Sequence, residues 1–477
     1  MNYRMIANIL GWLMIFESLF MAVPALTALI YLESAFWPFF GTAMFCLAAG
    51  VLITRKKPQN TTLYSREGFV IVSLSWIVLS LFGAVPFVLT GTIPSFVDAL
   101  FEAVSGFSTT GATVINDVES VPRSILMWRS FTHWVGGMGV LVFIMAFLPL
   151  SGGQNMHIMK AESPGPSVSK LVPHVRTTAM LLYSIYFVLT LVMFVTLIVF
   201  GMDPFEALNT AFATGGTGGM GVKNASMGGY SPQIQIVVTV FMVLFAINFN
   251  SYFFLIHAKF REIFTTEVIT FLAIAVTSSA VIAFNINGIY GNMGDSVRHS
   301  AFTVASIMST TGFSTEDFNL WPELSRSLIV MLMFVGGCAG STSGGIKVSR
   351  IIILFKSMRK ELGVLIHPKQ VKKINVDGHP IEHEVVRSVN VYMVGYVLIF
   401  AVSMMVLSFD NMDLITNFTA VASAMNNVGP GLELAGPASN FSIFSEPVKL
   451  VLIFDMLAGR LELFPILLLF SPATWKK

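Results

Sequence analysis

The sequence predicts an all-α polytopic membrane protein in which four pseudo-symmetric repeats follow an N-terminal pair of transmembrane helices. Three observations carry this expectation. Of 477 residues, 55% are hydrophobic and 11% charged, with a mean hydropathy of +0.75, a balance foreign to water-soluble globules and to ordinary soluble enzymes. Ten apolar windows are long enough to cross a bilayer at about 20 residues each. Between the later windows, a shorter semi-apolar stretch ending in a polar, glycine-containing string recurs four times.

The N-terminal pair covers Ile6 to Tyr31 and Phe36 to Thr54, joined by a tight turn. Arg4 precedes the first apolar run, but the run outlasts the roughly 7 to 15 residues of a signal-peptide core, so it reads as a retained span. Eight further windows follow at residues 68–90, 124–149, 177–201, 231–256, 267–290, 325–357, 386–409 and 445–470. The short stretches are Phe96 to Phe107, Pro204 to Ala213, Val297 to Met308 and Leu414 to Met425. Each is too short to cross, and reads as a buried, interfacial or re-entrant half-helix. They begin with the helix-starting residues Ser95 and Asp98, Asp203-Pro204, Asp295-Ser296, and Asn411 with Asp413. They end in Ser108-Thr109-Thr110-Gly111, Gly215-Gly216-Thr217-Gly218, Ser309-Thr310-Thr311-Gly312 and Asn426-Asn427-Val428-Gly429. Spacings of 107, 94 and 117 residues between Gly111, Gly218, Gly312 and Gly429 fit one supersecondary unit used four times. Gly136-Gly137 and Gly336-Gly337 echo each other after the first and third strings. The expected divisions are 1–66 for the N-terminal pair and 67–176, 177–265, 266–385 and 386–477 for the repeats.

Net charge is +2, from 28 basic and 26 acidic residues, so nothing points to nucleic acid. The two cysteines, Cys46 and Cys338, lie in apolar stretches and offer neither a disulfide framework nor a zinc cage. Position is more informative than the total. With the chain starting inside, one face collects Arg4; Arg55, Lys56, Lys57 and Arg66; Lys160, Lys170 and Arg176; Lys259 and Arg261; the run from Lys347 to Arg387; and Lys476 and Lys477. The other holds only Arg123, Arg129, Lys223, Arg298, Arg326 and Lys449, and Arg460 alone falls within a span. Both termini are therefore expected in the cytoplasm. The half-helices then enter from outside, where Asp98, Glu102, Asp203, Glu316, Asp317 and other acids make a mouth that favours cations.

Irregular backbone survives at membrane depth only when buried by protein or lining a water-filled path. Four half-helices pointing their carbonyl ends at one centre favour a cation there. Glycine can take positive φ and align successive carbonyl oxygens, so four such loops could replace the hydration shell of an alkali ion. Taken singly, each Thr-Gly turn could also be a helix-ending cap, a reading that four turns in register disfavour. The segment Ser325 to Ile353 is interrupted by Gly336, Gly337, Gly340, Gly344 and Gly345; at about 1 kcal/mol per glycine it should break, either as a movable gate or for close packing through small residues. Walker A spacing is absent there, since Gly340 is followed by Ser-Thr-Ser-Gly-Gly-Ile-Lys. Arg460 costs about 2.5 to 3.5 kcal/mol in a span; Asp455 and Glu462 are its candidate partners, and read from the residues alone the group is a structural ion pair near the inner boundary.

The four loops, the string from Gly336 to Lys347, and Asn426-Asn427-Val428-Gly429-Pro430-Gly431 resemble the TrkH family of the Trk/Ktr/HKT potassium-transport superfamily over essentially the whole chain. The resemblance implies helix, pore helix, filter loop and helix in each repeat around a single pore, a gating loop within the membrane, a homodimer, and a cytosolic TrkA-type nucleotide-binding ring. It implies potassium uptake across the bacterial inner membrane, with K+ held at Thr109, Thr110 and Gly111; Gly216, Thr217 and Gly218; Thr310, Thr311 and Gly312; and Asn427, Val428 and Gly429. By the same resemblance gating falls to Gly336, Gly337, Gly340, Gly344, Gly345, Lys347 and Arg460, with Arg460 beside the pore below the filter as an electrostatic barrier and Lys347 in a similar role. Glycine rather than serine at Gly111 favours potassium over sodium. No cofactor is expected on this chain; the nucleotide belongs to the partner.

Rival functions find less support. A membrane enzyme would need paired catalytic groups, but no HExxH or Gly-x-Ser-x-Gly string occurs, and His133 and His257 lie on different spans. A carrier for a small organic solute would usually show inverted repeats with two broken helices, whereas these four repeats run the same way. A Na+/K+ transporter of the same superfamily stays open. His379 and His383 precede and follow Pro380 in a charged connection and read as half a metal site at most. That connection, Lys356 to Arg387, suits a regulatory ring or anionic lipid headgroups.

Overall fold

The computed structural model describes residues 1–56, 58, 60, 63–139, 175–368 and 373–476. Lys57, Lys160, Lys170, Lys369, Lys372 and Lys477, the side chain of Arg176 and the end of the 124–149 window lie outside the described parts. Six described helices are long and apolar enough to cross a membrane, or seven if Pro232–Ala246 and Phe249–Ile256, bent by 93°, count as one span. The fold is polytopic and all-α, apart from a two-stranded hairpin at Asn375–Val376 and His379–Pro380.

Tyr3–Phe20 continues through Met21 into Ala22–Ile30, and Phe36–Thr54 packs back against it. A Cβ on Gly50 would lie 2.6 Å from the Gly11 carbonyl oxygen, so glycine lets the backbones approach where lipid provides no hydrophobic drive. The outer helices of the four repeats are Ser65–Leu89, Val175–Val199, Thr266–Tyr290 and His383–Leu407. The half-helices are Phe96–Phe107, Pro204–Gly216, Met293–Met308 and Leu414–Asn426.

Three half-helices start as their sequences predict. The Ser95 hydroxyl accepts from the Asp98 N–H at 3.4 Å, and the Asp203 and Asp413 carboxylates accept from Phe205 and Thr416 at 2.9 Å each. The third starts earlier than expected: the Asn292 side chain accepts from Gly294 at 3.0 Å, and Asp295 and Ser296 fall inside the first turn. Asn is as good an N-cap as Asp, so the first of two eligible residues is used.

The inner helices depart from expectation more. Sequence predicts a break only in the third, yet Arg123–Gly137, Pro232–Ala246, Glu323–Val335 and Glu446–Arg460 all stop. In the second repeat the freed backbone groups find partners on the third: Ala246 carbonyl accepts from Cys338 N–H at 2.9 Å, and Phe249 N–H donates to Gly340 carbonyl at 3.0 Å. In the fourth, Glu462 and Leu463 take positive φ and Pro465 sits in the first turn of Phe464–Phe470, where proline has no N–H to donate. The windows 231–256 and 445–470 are thus each two helices.

Candidate functional site

Every half-helix ends in the same hydrogen-bond pattern. Thr109 and Thr110 N–H donate to Gly106 and Ser105 carbonyls; Thr217 and Gly218 to Thr214 and Ala213; Thr310 and Thr311 to Ile307 and Ser306; Asn427 and Val428 to Ala424 and Ser423, all at 2.8–3.3 Å. The first residue of each pair is left-handed, with φ of 59°, 57°, 56° and 53° at Thr109, Thr217, Thr310 and Asn427. Two residues later a glycine takes positive φ: Gly111 at 84°, Gly219 at 73°, Gly312 at 86° and Gly429 at 102°.

This corrects the register of the second loop by one residue. Gly218 occupies the place of Thr110, Thr311 and Val428, and Gly219 takes the marker position. Gly216 closes the half-helix. With Gly218, Gly219 and Gly221 all nearby, spacing alone could not choose among them; the sign of φ does.

The four loops meet. A Cβ on Gly111 would run into the Gly218 carbonyl oxygen, one on Gly219 into that of Thr311, one on Gly312 into that of Val428, and one on Gly429 would come within 2.8 Å of that of Thr110. First touches second, second third, third fourth, and fourth first, so the ring closes. Glycine is therefore required here twice over, for φ and for the room its neighbour's carbonyl occupies. A cavity of about 190 Å³ on the exit side of the loops is lined by Gly111, Gly219, Gly312 and Gly429 together, with Asn116 and Asn224.

Supports behind the ring were not read from sequence. Ser105 and Ser306 hydroxyls donate to Ala112 and Phe313 carbonyls at 2.5 and 2.6 Å, and Ser423 to Gly429 at 2.6 Å. Each serine lies six residues before its loop's glycine, a signal visible in the sequence once the register is right. The second loop has Ala213 at that place, and His133 stands in: its ring fills the space a Gly218 Cβ would need, its Nδ1 lies 2.8 Å from Gly106 carbonyl, and Met220 N–H donates to its Nε2 at 3.4 Å. Glu102 and Arg129, expected at the outer mouth, are instead a buried pair at 2.7 Å. Glu102 also accepts from Thr113 and Val114 at 2.9 and 3.0 Å, and Arg129 donates to Gly221 carbonyl at 3.4 Å, which joins the exits of the first two loops.

Much of the acidity expected at the outer mouth is locally matched. Lys223 pairs with Glu206 at 3.3 Å, Arg298 with Asp295, Arg326 with Glu323 and Lys449 with Asp98 at 2.6 Å each. Beyond the first two loops, the Asn224 side chain donates to Asp117 at 2.7 Å and holds that carboxyl below its usual range, so it stays charged in mild acid.

Beneath the ring runs the irregular segment from Gly336 to Lys347, with Gly336, Gly340, Gly345 and Lys347 at positive φ. Gly344 N–H donates to Thr310 Oγ1 at 2.6 Å, Thr342 Oγ1 to Phe245 carbonyl at 3.2 Å, and Lys347 Nζ to Ser343 carbonyl. A Cβ on Gly337 would press on Ser343 at 2.6 Å. Arg460 does not pair with the expected acids. Its guanidinium donates to Thr342 carbonyl at 2.9 Å and to Gly136 and Gly137 carbonyls at 2.6 Å each, 5.8 Å from the Trp76 ring centre. Asp455 accepts from Ser403 at 2.8 Å, and Glu462 pairs with Arg350. Backbone oxygens at the broken helix ends thus accept from Arg460 where Asp455 and Glu462 were expected to.

The profile of the TrkH family, described as a cation transport protein, matches residues 38–289 and 255–477. The chain belongs to the TrkH family. It is 35% identical over 485 residues to the Trk system potassium uptake protein TrkH of Escherichia coli K12 and 37% identical over 492 residues to that of Vibrio parahaemolyticus, covering all of each chain. The crystal structure of the potassium transporter TrkH from Vibrio parahaemolyticus superposes with a TM-score of 0.89 at 35% identity over the full length of both chains. As a TrkH-family member the chain is a multi-pass membrane transport protein.

Proposed function

We propose that this chain takes up potassium across the bacterial inner membrane, with the four-loop ring as its selectivity filter. The observation that carries the reading is the closed ring, in which each glycine abuts the carbonyl of the next loop. The curated relatives are named for potassium uptake, which supports K+ as the cargo.

In this reading the carbonyls of Thr109, Thr110 and Gly111, of Thr217, Gly218 and Gly219, of Thr310, Thr311 and Gly312, and of Asn427, Val428 and Gly429 replace the water that K+ leaves behind. Gly216, at the end of its half-helix, and the other three half-helix ends turn their negative dipole ends toward the ion. The chain moves ions and transforms none, without a cofactor of its own. The segment with Gly336, Gly337, Gly340, Gly344, Gly345 and Lys347 is the gate: it touches Thr310 of the filter, the broken second inner helix and, through Arg460, the first and fourth inner helices. Arg460 and Lys347 add positive charge that an entering cation must pass.

The repeats divide at 67–176, 177–265, 266–385 and 386–477 behind the N-terminal 1–66 pair, with both termini cytoplasmic. Two such chains form a dimer with a pore in each, and a cytosolic TrkA-type nucleotide-binding ring acts on the gate. The "Trk system" in the relatives' names is consistent with more than one component.

The deciding experiment is rescue of a potassium-uptake-deficient bacterium on low potassium, with and without a TrkA-type partner, followed by rubidium uptake into vesicles. Rescue that Gly312→Ser weakens, with the residual flux admitting sodium, is the expected result. Failure to rescue with the partner present, at normal expression, would reject the reading.

A further inference from the structure

The 336–347 segment has another anchorage, on the third outer helix. One carboxylate oxygen of Glu267 accepts from Ala339 N–H at 2.7 Å and from Ser349 N–H at 3.0 Å. Ala339 lies within the segment and Ser349 in the first turn of the helix that follows it, Val348–Ile366, so a single oxygen ties the loop to the element beyond it. Both bonds are charge-assisted, and the carboxylate sits at the N-terminal end of Thr266–Tyr290, where the helix dipole favours it.

The preceding residue faces the other way. Thr266 donates from both N–H and Oγ1 to Asp377 Oδ1 at 2.6 Å each. Asp377 and Gly378, with φ of 51° and 79°, form the two-residue turn of the hairpin, the Asp-Gly chemistry that a tight hairpin with two positive φ values selects. The hairpin is seated: Val376 packs against the cluster that holds Val268, Val348 and Ile352, and Lys356 Nζ donates to Asn375 carbonyl at 2.7 Å. Asp377 itself is exposed. An exposed turn, one helical turn and the irregular loop are therefore linked through two consecutive residues.

We propose that Glu267 is a positioning residue that staples the 336–347 loop in place, and that the Asp377 turn is the exposed lever through which a displacement of the hairpin loosens that staple. Its consequence for flux rests on the loop being the gate; its consequence for the loop itself does not.

Cys338, adjacent to Ala339 and fully buried, is a built-in reporter. In a Cys46→Ser background, the rate at which Cys338 reacts with a small methanethiosulfonate reagent is measured beside rubidium uptake. Loss of two charge-assisted bonds in Glu267→Ala should speed labelling about tenfold or more. Glu267→Gln keeps the acceptor oxygen without the charge and should speed it only about threefold. Asp377→Ala, at an exposed turn, should act in the same direction, and the double variant Glu267→Ala with Asp377→Ala should be no faster than Glu267→Ala alone. Unchanged labelling in both single variants, or additive effects in the double, overturns the proposal. Faster labelling with raised uptake supports staple and gate together; faster labelling at unaltered uptake supports the staple and rejects the gate. Should Glu267→Ala not accumulate, Glu267→Gln and Asp377→Ala carry the same comparison.

Discussion

Two adjacent glycines in the second loop make opposite demands. Gly219 carries the positive φ and faces Thr311 carbonyl, whereas Gly218 lacks positive φ and is confined by the His133 ring. Adding a methyl to Gly218 should therefore be curable by making room: Gly218→Ala is expected to abolish rubidium uptake, and His133→Ala to restore part of it. Gly219→Ala should resist that rescue, because a side chain there meets backbone in a left-handed conformation. Equal rescue of both would refute the register. For Arg460, removal takes away a charge and the bonds to Thr342, Gly136 and Gly137. Arg460→Ala is expected to raise flux about tenfold, the equivalent of ~1.4 kcal/mol of barrier, and Arg460→Lys less, since an ammonium keeps the charge but not the planar fork. Flux at the original rate, with equal protein in the membrane, would remove Arg460 from the path. The sequence revealed that Arg460 needed compensation. It concealed these three acceptors, because main-chain oxygens are present at every residue and only the broken helix ends make them available.

At the scale of elements, the half-helices were legible because capping side chains and polar ends mark both termini, as Asp203-Pro204 and Ser309-Thr310-Thr311-Gly312 do. The inner-helix breaks were legible only where glycine is dense. The bend after Ala246 leaves no glycine or proline trace; it exists because Cys338, Gly340 and Thr342 of another repeat supply the missing hydrogen bonds. Long-range partners of this kind are also why Glu102 and Arg129 read as surface charges. Breaking that buried pair should be costly: Arg129→Gln is expected to lower stability by about 3 to 5 kcal/mol, seen as a marked drop in the unfolding temperature of the detergent-solubilised protein. A change of a degree or less would show that the pair contributes little.

For the molecule as a whole, the fourfold repetition is the property most plainly carried by sequence, since four copies of one unit appear at near-regular intervals and need one shared axis to bury their loops. Which loop adjoins which was not readable; it depends on helix packing across the full chain. If K+ binds the ring in the folded state alone, stability must rise with its concentration, by about 2.7 kcal/mol at a hundredfold excess over the dissociation constant. Unfolding temperature should climb with potassium chloride, hardly move with sodium chloride at equal ionic strength, and lose this difference in Gly312→Ser. Identical responses to the two salts would argue against a potassium-selective ring.

One polypeptide supplies all four quadrants, three of them buttressed by a serine, Ser105, Ser306 and Ser423, and the second by His133. Nothing here is averaged by symmetry. Matching lesions introduced into each quarter should give four unequal phenotypes, with the histidine-backed quarter the outlier. Cells making intact and defective chains together should lose transport in simple proportion to the defective share, without the disproportionate poisoning seen when four separate subunits must all be sound.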